Sequence, residues 1–215
     1  ITTSPVVTFP GMGGAMIGFG TGKSIVAGDF PNSSLTQRFY SIWDRGNYAA
    51  ASAVGSPNIA LGQRALPTHA TLLGRKLVRD DDTGYVSFSS SSENATVNWT
   101  DQDGWFVDFP VTPGQSVGTG EMVLSTPVVR AGILFFTTVW PNGSAEDRCQ
   151  TDPFSTLYAL NPTNGVVVRG LLPTGAGAGI TVSDPKVLVV SDQTVTPEVG
   201  KDALRVLCRD CEIPL

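Results

Sequence analysis

The sequence is 215 residues long and short of charge, histidine and cysteine, and each shortage removes a class of function. Only 15% of the residues are charged, with 14 Lys and Arg against 19 Asp and Glu, for a net charge of −5. No basic stripe is available to neutralise phosphates, so nucleic acid is not an expected partner. A single histidine, His69, has no paired spacing to the cysteines, which argues against a zinc site. No nucleophilic Ser or Cys with a partner can be placed beside His69, so it is read as a partly exposed or internally bonded side chain. No apolar run approaches the roughly 20 residues that span a bilayer. The first residues, Ile1–Ser4, lack the basic and apolar regions of a signal peptide, and the sequence starts without an initiator Met, so the expectation is a processed or trimmed product.

The three cysteines are an odd number. Cys208 and Cys211 form a CxxC, and Cys149 sits in a polar loop. A CxxC serves as a redox pair, as half a zinc site or as a structural bridge. Zinc lacks ligands here, and a redox pair belongs at the start of a helix, whereas this one lies near the end and precedes Pro214. A structural disulfide in an exported protein is the preferred reading, with the pairing among Cys149, Cys208 and Cys211 left open.

What is abundant is turn chemistry: 24 Gly and 15 Pro, around short apolar runs of strand length. GWFVDFP alternates Trp105, Val107 and Phe109 with other residues and stops at Pro110. TPVVRAGILFFTTVW holds two runs, Pro127–Val129 and Ile133–Val139, broken at Arg130-Ala131-Gly132 as a tight hairpin with Gly132 as its permissive residue. STLYALNPTNGVVV repeats that grammar, with a turn at Asn161–Gly165 before a β-branched run. The fold class predicted is all-β and antiparallel.

Elsewhere, Ile1–Pro10 reads as an edge strand limited by Pro5 and Pro10. Strands are expected at Ala15–Phe19, Ser24–Ala27, Gln37–Asp44, Tyr85–Phe88, Ala95–Trp99, Gly179–Val182, Lys186–Val190 and Ala203–Leu207. A short helical turn is expected near Ala49–Ala53, while Ala65–Val78 is compatible with a strand or a short helix. GFGTGKS suggests a phosphate loop, but the required glycine falls on Ile17, so nucleotide binding is not expected. Asp101–Gly104 suggests a calcium loop, yet the required first and last ligands fall on Trp99 and Pro110. That segment and Asp80–Gly84 are read as solvated hairpin turns. No cofactor or metal is assigned.

Six pieces in order resemble the C-terminal propeller domain of the PilY family, tip-associated proteins of bacterial type IV pili. They are ITTSPVV, FGTGKS, QRFYSIWDRG, NWTDQDGWFVDFP, TPVVRAGILFFTTVWP with its Cys-containing loop, and STLYALNPTNG, covering most of Ile1–Gly165. The resemblance implies a β-propeller of quinoprotein type. A blade takes about 40–50 residues, so this chain makes about four or five blades and is expected to be the C-terminal portion of a larger protein, with residues 1–215 in a single propeller domain. The family's calcium loop has no match here. The resemblance further implies a non-enzymatic pilus tip component at the cell surface, exported through the periplasm. Its partners would be minor pilins, other pilus subunits and a host or abiotic surface, in support of assembly, adhesion and twitching motility.

Two alternatives remain beside it. A propeller enzyme of quinoprotein type needs a metal and acid–base groups converging on the axis, for which the sequence has few side chains. A carbohydrate-binding module would use exposed tryptophan faces, Trp140 first among Trp43, Trp99, Trp105 and Trp140. Candidate interaction residues are Gly11 and Gly14 in one loop and Trp140, Asn142 and Gly143 at the head of another, Asn142–Thr151.

Overall fold

The computed structural model describes residues 1, 3–23, 36–45, 67–80, 84–110, 120–140, 154–168, 172, 177–182, 197–199 and 204–206. Ten strands form one sheet: β1 (Val6–Thr8), β2 (Ala15–Gly20), β3 (Arg38–Asp44), β4 (Leu73–Arg79), β5 (Tyr85–Phe88), β6 (Gly104–Asp108), β7 (Val128–Arg130), β8 (Ile133–Trp140), β9 (Phe154–Leu160) and β10 (Gly179–Val182). Their spatial order is β1-β2-β3-β6-β4-β5-β10-β9-β8-β7. A separate antiparallel pair joins β11 (Pro197–Val199) to β12 (Leu204–Val206), the latter inside the expected Ala203–Leu207. Expected strands at Ser24–Ala27 and Lys186–Val190, and the helical turn at Ala49–Ala53, lie outside the described residues.

The strand readings hold where apolar runs are bounded by turn residues. β5 and β10 match their expected limits, and β1 is an edge strand, paired with β2 alone. Arg130 pairs with Ile133, and the two residues between them, Ala131 and Gly132, have φ of +49° and +77°. A two-residue turn with both centres left-handed follows the twist of the strands it joins. The Ala65–Val78 region resolves into a 3-10 turn at His69–Thr71 followed by β4.

Two expectations fail. The sheet is not wholly antiparallel, because β4 and β6 run parallel, Leu73 opposite Trp105 through Lys76 opposite Asp108. Residues 89–103 supply the long connection such a pair requires, carrying the chain back so that β6 enters between β3 and β4. Within that connection Ala95–Trp99 is not a strand. Its backbone is spent on local bonds: Ala95 N donates to Ser92 O, Asn98 N to the Gln102 side chain, and Gln102 N to Asn98 O.

β4 divides the sheet into two sections. Leu73–Lys76 pairs with β6, and Leu77–Arg79 pairs antiparallel with β5. The sheet folds over at this strand, so β3 and β6 face β8 and β9. Phe39 stacks on Phe136 with ring centroids 4.1 Å apart, and Phe109 lies 5.8 Å from Tyr158. Trp105, Val107, Leu134 and Leu160 complete this shared core. The end strands β1 and β7 approach to within 8 Å between Cα atoms, and the sheet is not closed among the described residues.

Buried joints and a candidate interaction rim

Three polar centres hold the two sections together or shape one rim. The first is built on the Asn161–Gly165 turn after β9. The Asn161 side chain accepts from Thr163 N and Asn164 N, fixing the turn from within. The Pro162 carbonyl then accepts from Ser41 Oγ at 2.9 Å and from Trp105 Nε1 at 3.2 Å, so two strands of the first section grip a turn of the second. Gly165 sits at φ +67°, and a Cβ there would lie 2.5 Å from the Trp105 ring. Only glycine permits both the left-handed backbone and the close approach. Arg75 completes the joint, 1% exposed, with its guanidinium donating to the carbonyls of Glu93, Ala95 and Asn164. Burial lowers its pKa to about 10, partly countered by the nearby Glu93 charge, so it stays protonated at neutral pH.

The second centre lies at the other end of β4. Arg79 Nη2 is 2.6 Å from Glu121 Oε2 and donates to Thr156 Oγ1 at 3.0 Å. The other oxygen of Glu121 accepts from Tyr158 OH at 2.6 Å and from Thr138 Oγ1. Arg79 also stacks on Trp140, 4.2 Å from the ring centroid. Glu121 is 2% exposed. Desolvation, with the Glu121 charge adding to it, pushes the Tyr158 phenol well above its ordinary value, so it donates as a neutral group. The carboxylate anchors a short crossing: Met122 exchanges backbone bonds with Val139 in the second section, and Val123 N donates to Thr21 O beside the first.

The third centre reaches the surface. The Pro10–Gly13 turn is closed by Gly13 N donating to Pro10 O, and Gly13 O accepts from Trp43 Nε1 at 2.9 Å. At Gly14, φ +71°, a Cβ would meet Asp44 O at 2.3 Å. Arg45 stacks over Trp43 at 3.9 Å, pairs with Asp103 at 3.2 Å, and donates to the carbonyls of Trp99 and Gln102. Trp43 meets Trp99 edge to face at 5.1 Å. Phe9, 82% exposed, and Met12, 39% exposed, flank the turn.

Of the sequence-derived candidates, Gly11 and Gly14 therefore lie in an exposed turn on this rim. Trp140 is half-buried, held between Arg79 and Phe154, with Nε1 donating to Thr156. Asn142, Gly143, Cys149, Cys208 and Cys211 lie outside the described residues. His69 is exposed and packs 4.3 Å from the Phe106 ring centroid. The expected solvated turn at Asp101–Gly104 needs correction: Asp103 is 5% exposed and ion-paired, its backbone bridging Trp43 N and Thr71 O. Asp80 does begin a hairpin turn, with Asp80 N bonded to Tyr85 O. No group of three or more metal-ligating side chains occurs among the described residues.

Sequence reasoning did not single out Arg75, Arg79 or Glu121. Their signal was present, because LGRKLVR places Arg75, Leu77 and Arg79 on one face of a strand. Charge at the apolar positions of an alternating run marks a buried polar joint.

The fold is thus that of an all-β domain whose two facing sections are interlocked by buried turns and ion pairs. It is similar to the crystal structure of the Pseudomonas aeruginosa PilY1 C-terminal domain, with TM-score 0.60 and 22% identity over 86% of this chain and 39% of that one. In sequence, 157 residues are 29% identical to the type IV pilus biogenesis factor PilY1 homolog of Xylella fastidiosa strain Temecula1. That match takes in 73% of this chain and 9% of the relative, so the chain spans a small part of the curated relative it matches. No family model matches. The likeness in sequence is to a protein of the family that the ordered motifs resemble, and the likeness in structure is one of fold.

Proposed function

We propose that this chain is the C-terminal, propeller-forming portion of a larger type IV pilus-associated protein that works by protein contact and without catalysis. Its roles are support of pilus assembly, adhesion and twitching motility, from the cell surface at the pilus tip after export through the periplasm. Minor pilins and other pilus subunits are the expected partners, with a host or abiotic surface beyond them. The observation that carries this reading is the 73% of the chain that matches a pilus biogenesis factor. Each sheet section serves as material for one or more propeller blades, and the close approach of β1 and β7 is consistent with first strands of neighbouring blades around an axis.

The tryptophans favour this over carbohydrate stacking. Trp105 is buried against Phe39, Trp43 lies under Arg45 and against Trp99, and Trp140 is held by Arg79 and Phe154. The test is an in-frame deletion of residues 1–215 from the gene in the source organism. Loss of surface pili by electron microscopy, with loss of the twitching zone and restoration by the intact gene, is the expected result. Normal piliation and motility would sink the proposal.

A further inference from the structure

Exposed apolar side chains gather at one place in this molecule. Among the described residues the large ones are Ile1, Val7, Phe9, Met12, Val78 and Leu124, so four of the six fall in the first twelve positions. Phe9 is the most exposed of them, at 82%. No Asp, Glu, Lys or Arg occurs before Lys23. Single exposed apolar residues are ordinary on a folded surface, whereas a cluster in an uncharged stretch marks a contact site.

The cluster is held rigidly. Phe9 precedes Pro10, which confines its backbone to the extended region. The turn that follows is closed from Gly13 N to Pro10 O, and Trp43 Nε1 holds Gly13 O. Gly14 lies so close to Asp44 O that no Cβ fits between them. Arg45 stacks on Trp43 and is tied to Asp103 and to the carbonyls of Trp99 and Gln102. These buried and half-buried groups underpin a surface turn, and Phe9 and Met12 project beside it. An apolar anchor fixed before binding loses little entropy when it is covered.

Charge beside the turn selects the partner. Asp44 ends β3 against Gly14, and Asp101 stands exposed in the adjoining 98–103 loop, bonded to Asn98 Nδ2. Arg45 is already paired with Asp103, and the chain as a whole carries −5. An anionic lipid surface would repel such a rim, and lipid-inserting segments carry Lys or Arg, which this stretch lacks. A second copy would bring the same acid and the same projecting turn. An apolar pocket edged by basic side chains complements both the anchor and its margin.

We infer that Phe9 and Met12 form a preorganised anchor that inserts into an apolar, basic-rimmed pocket on a different protein. The anchor rests on the protein-contact reading proposed above, and the two fail separately. If deletion of residues 1–215 leaves pili and twitching intact, that reading falls. If the deletion abolishes both, but Phe9→Ser/Met12→Ser protein exported at the parent level supports both, the reading stands and the anchor falls.

For the contact itself, Phe9 is replaced by the photo-cross-linker p-benzoylphenylalanine in the full-length protein, expressed from its own gene in the source organism. Exposed Ser92 serves as the control position. Irradiation is expected to give an adduct with a different protein, absent from position 92, lost with Met12→Asp and weakened by Asp101→Asn. Peptide mapping is expected to place the acceptor among apolar residues with Lys or Arg beside them. A cross-link within the same polypeptide, to a second copy, to lipid or to an acidic acceptor site, or none at all, would overturn the inference. Repeating the experiment at Met12 guards against a position 9 variant that fails to fold.

Discussion

Arg75 and Arg79 stand on the same strand, point the same way and are both buried, yet their surroundings differ. Arg75 lies in the half of β4 paired with β6, and its partners are three loop carbonyls, with Nε lacking a hydrogen-bond partner. Arg79 lies in the half paired with β5 and faces a carboxylate that two hydroxyls also hold. One arginine gathers backbone that would otherwise go unbonded; the other neutralises a buried charge. The lesson concerns what removal leaves behind. Losing Arg75 frees neutral carbonyls near loops that water can reach, whereas losing either member of the Arg79 pair strands an ion in the core.

This difference sets an order of effects. Glu121→Ala is expected to cost the most, about 3–5 kcal/mol in urea unfolding, because Arg79 is left charged and enclosed. The double variant Arg79→Met/Glu121→Leu should recover much of that loss. If its cost equals the sum of the two single changes, the pair is not coupled and the contrast with Arg75 collapses.

Arg75→Met is expected to cost less, about 2–3 kcal/mol, since removing a desolvated charge offsets part of the lost bonding. Hydrogen exchange should quicken in residues 91–95 and 161–165, which it gathers, and not in residues 120–124. Exchange that quickens equally in both places would show that the two arginines belong to one unit.

Tyr158→Phe removes one donor to Glu121 and should cost about 1–2 kcal/mol near neutrality. Its pH dependence carries a sign. The folded phenol pKa is raised above the unfolded value of about 10, so its contribution is whole below about pH 10 and declines as pH rises toward the folded value. The stability gap between the parent and Tyr158→Phe should therefore narrow above about pH 10. A gap that widens there would mean the phenol is not held neutral. Smallest of all, Asp108→Asn breaks the half-exposed pair with Arg38 and should change stability by under about 1 kcal/mol, less still in high salt.

Much of the fold was legible along the chain and little of the site was. β5, β10, the Arg130–Ile133 hairpin and the edge position of β1 follow from runs and turns only a few residues long. Local sterics and side-chain alternation settle such features. The parallel placement of β6 beside β4 did not follow, because it depends on where a long connection returns the chain. Ala95–Trp99 reads as a strand and is not one: Ala95 N bonds to Ser92 O, Gln102 N bonds to Asn98 O, and Arg75, 20 residues away, takes the Ala95 carbonyl. Asp103 illustrates the same limit. In sequence it is one of a polar group in a turn, and only the approach of Arg45 makes it a buried ion pair.

By itself the sequence determined an all-β protein rich in tight turns, the places of most described strands, and the ordered motifs that resemble the PilY family. These are properties of short stretches, fixed by residue volume, backbone freedom and period. Tertiary structure alone decided that β4 would serve two sheet sections, that Pro162 would meet Ser41 and Trp105, and that Glu121 would close on Arg79, Thr138 and Tyr158. Those contacts join residues up to 121 positions apart. Their energies come from desolvating groups that meet only after the sheet has folded over on itself, and no local pattern encodes which groups those will be.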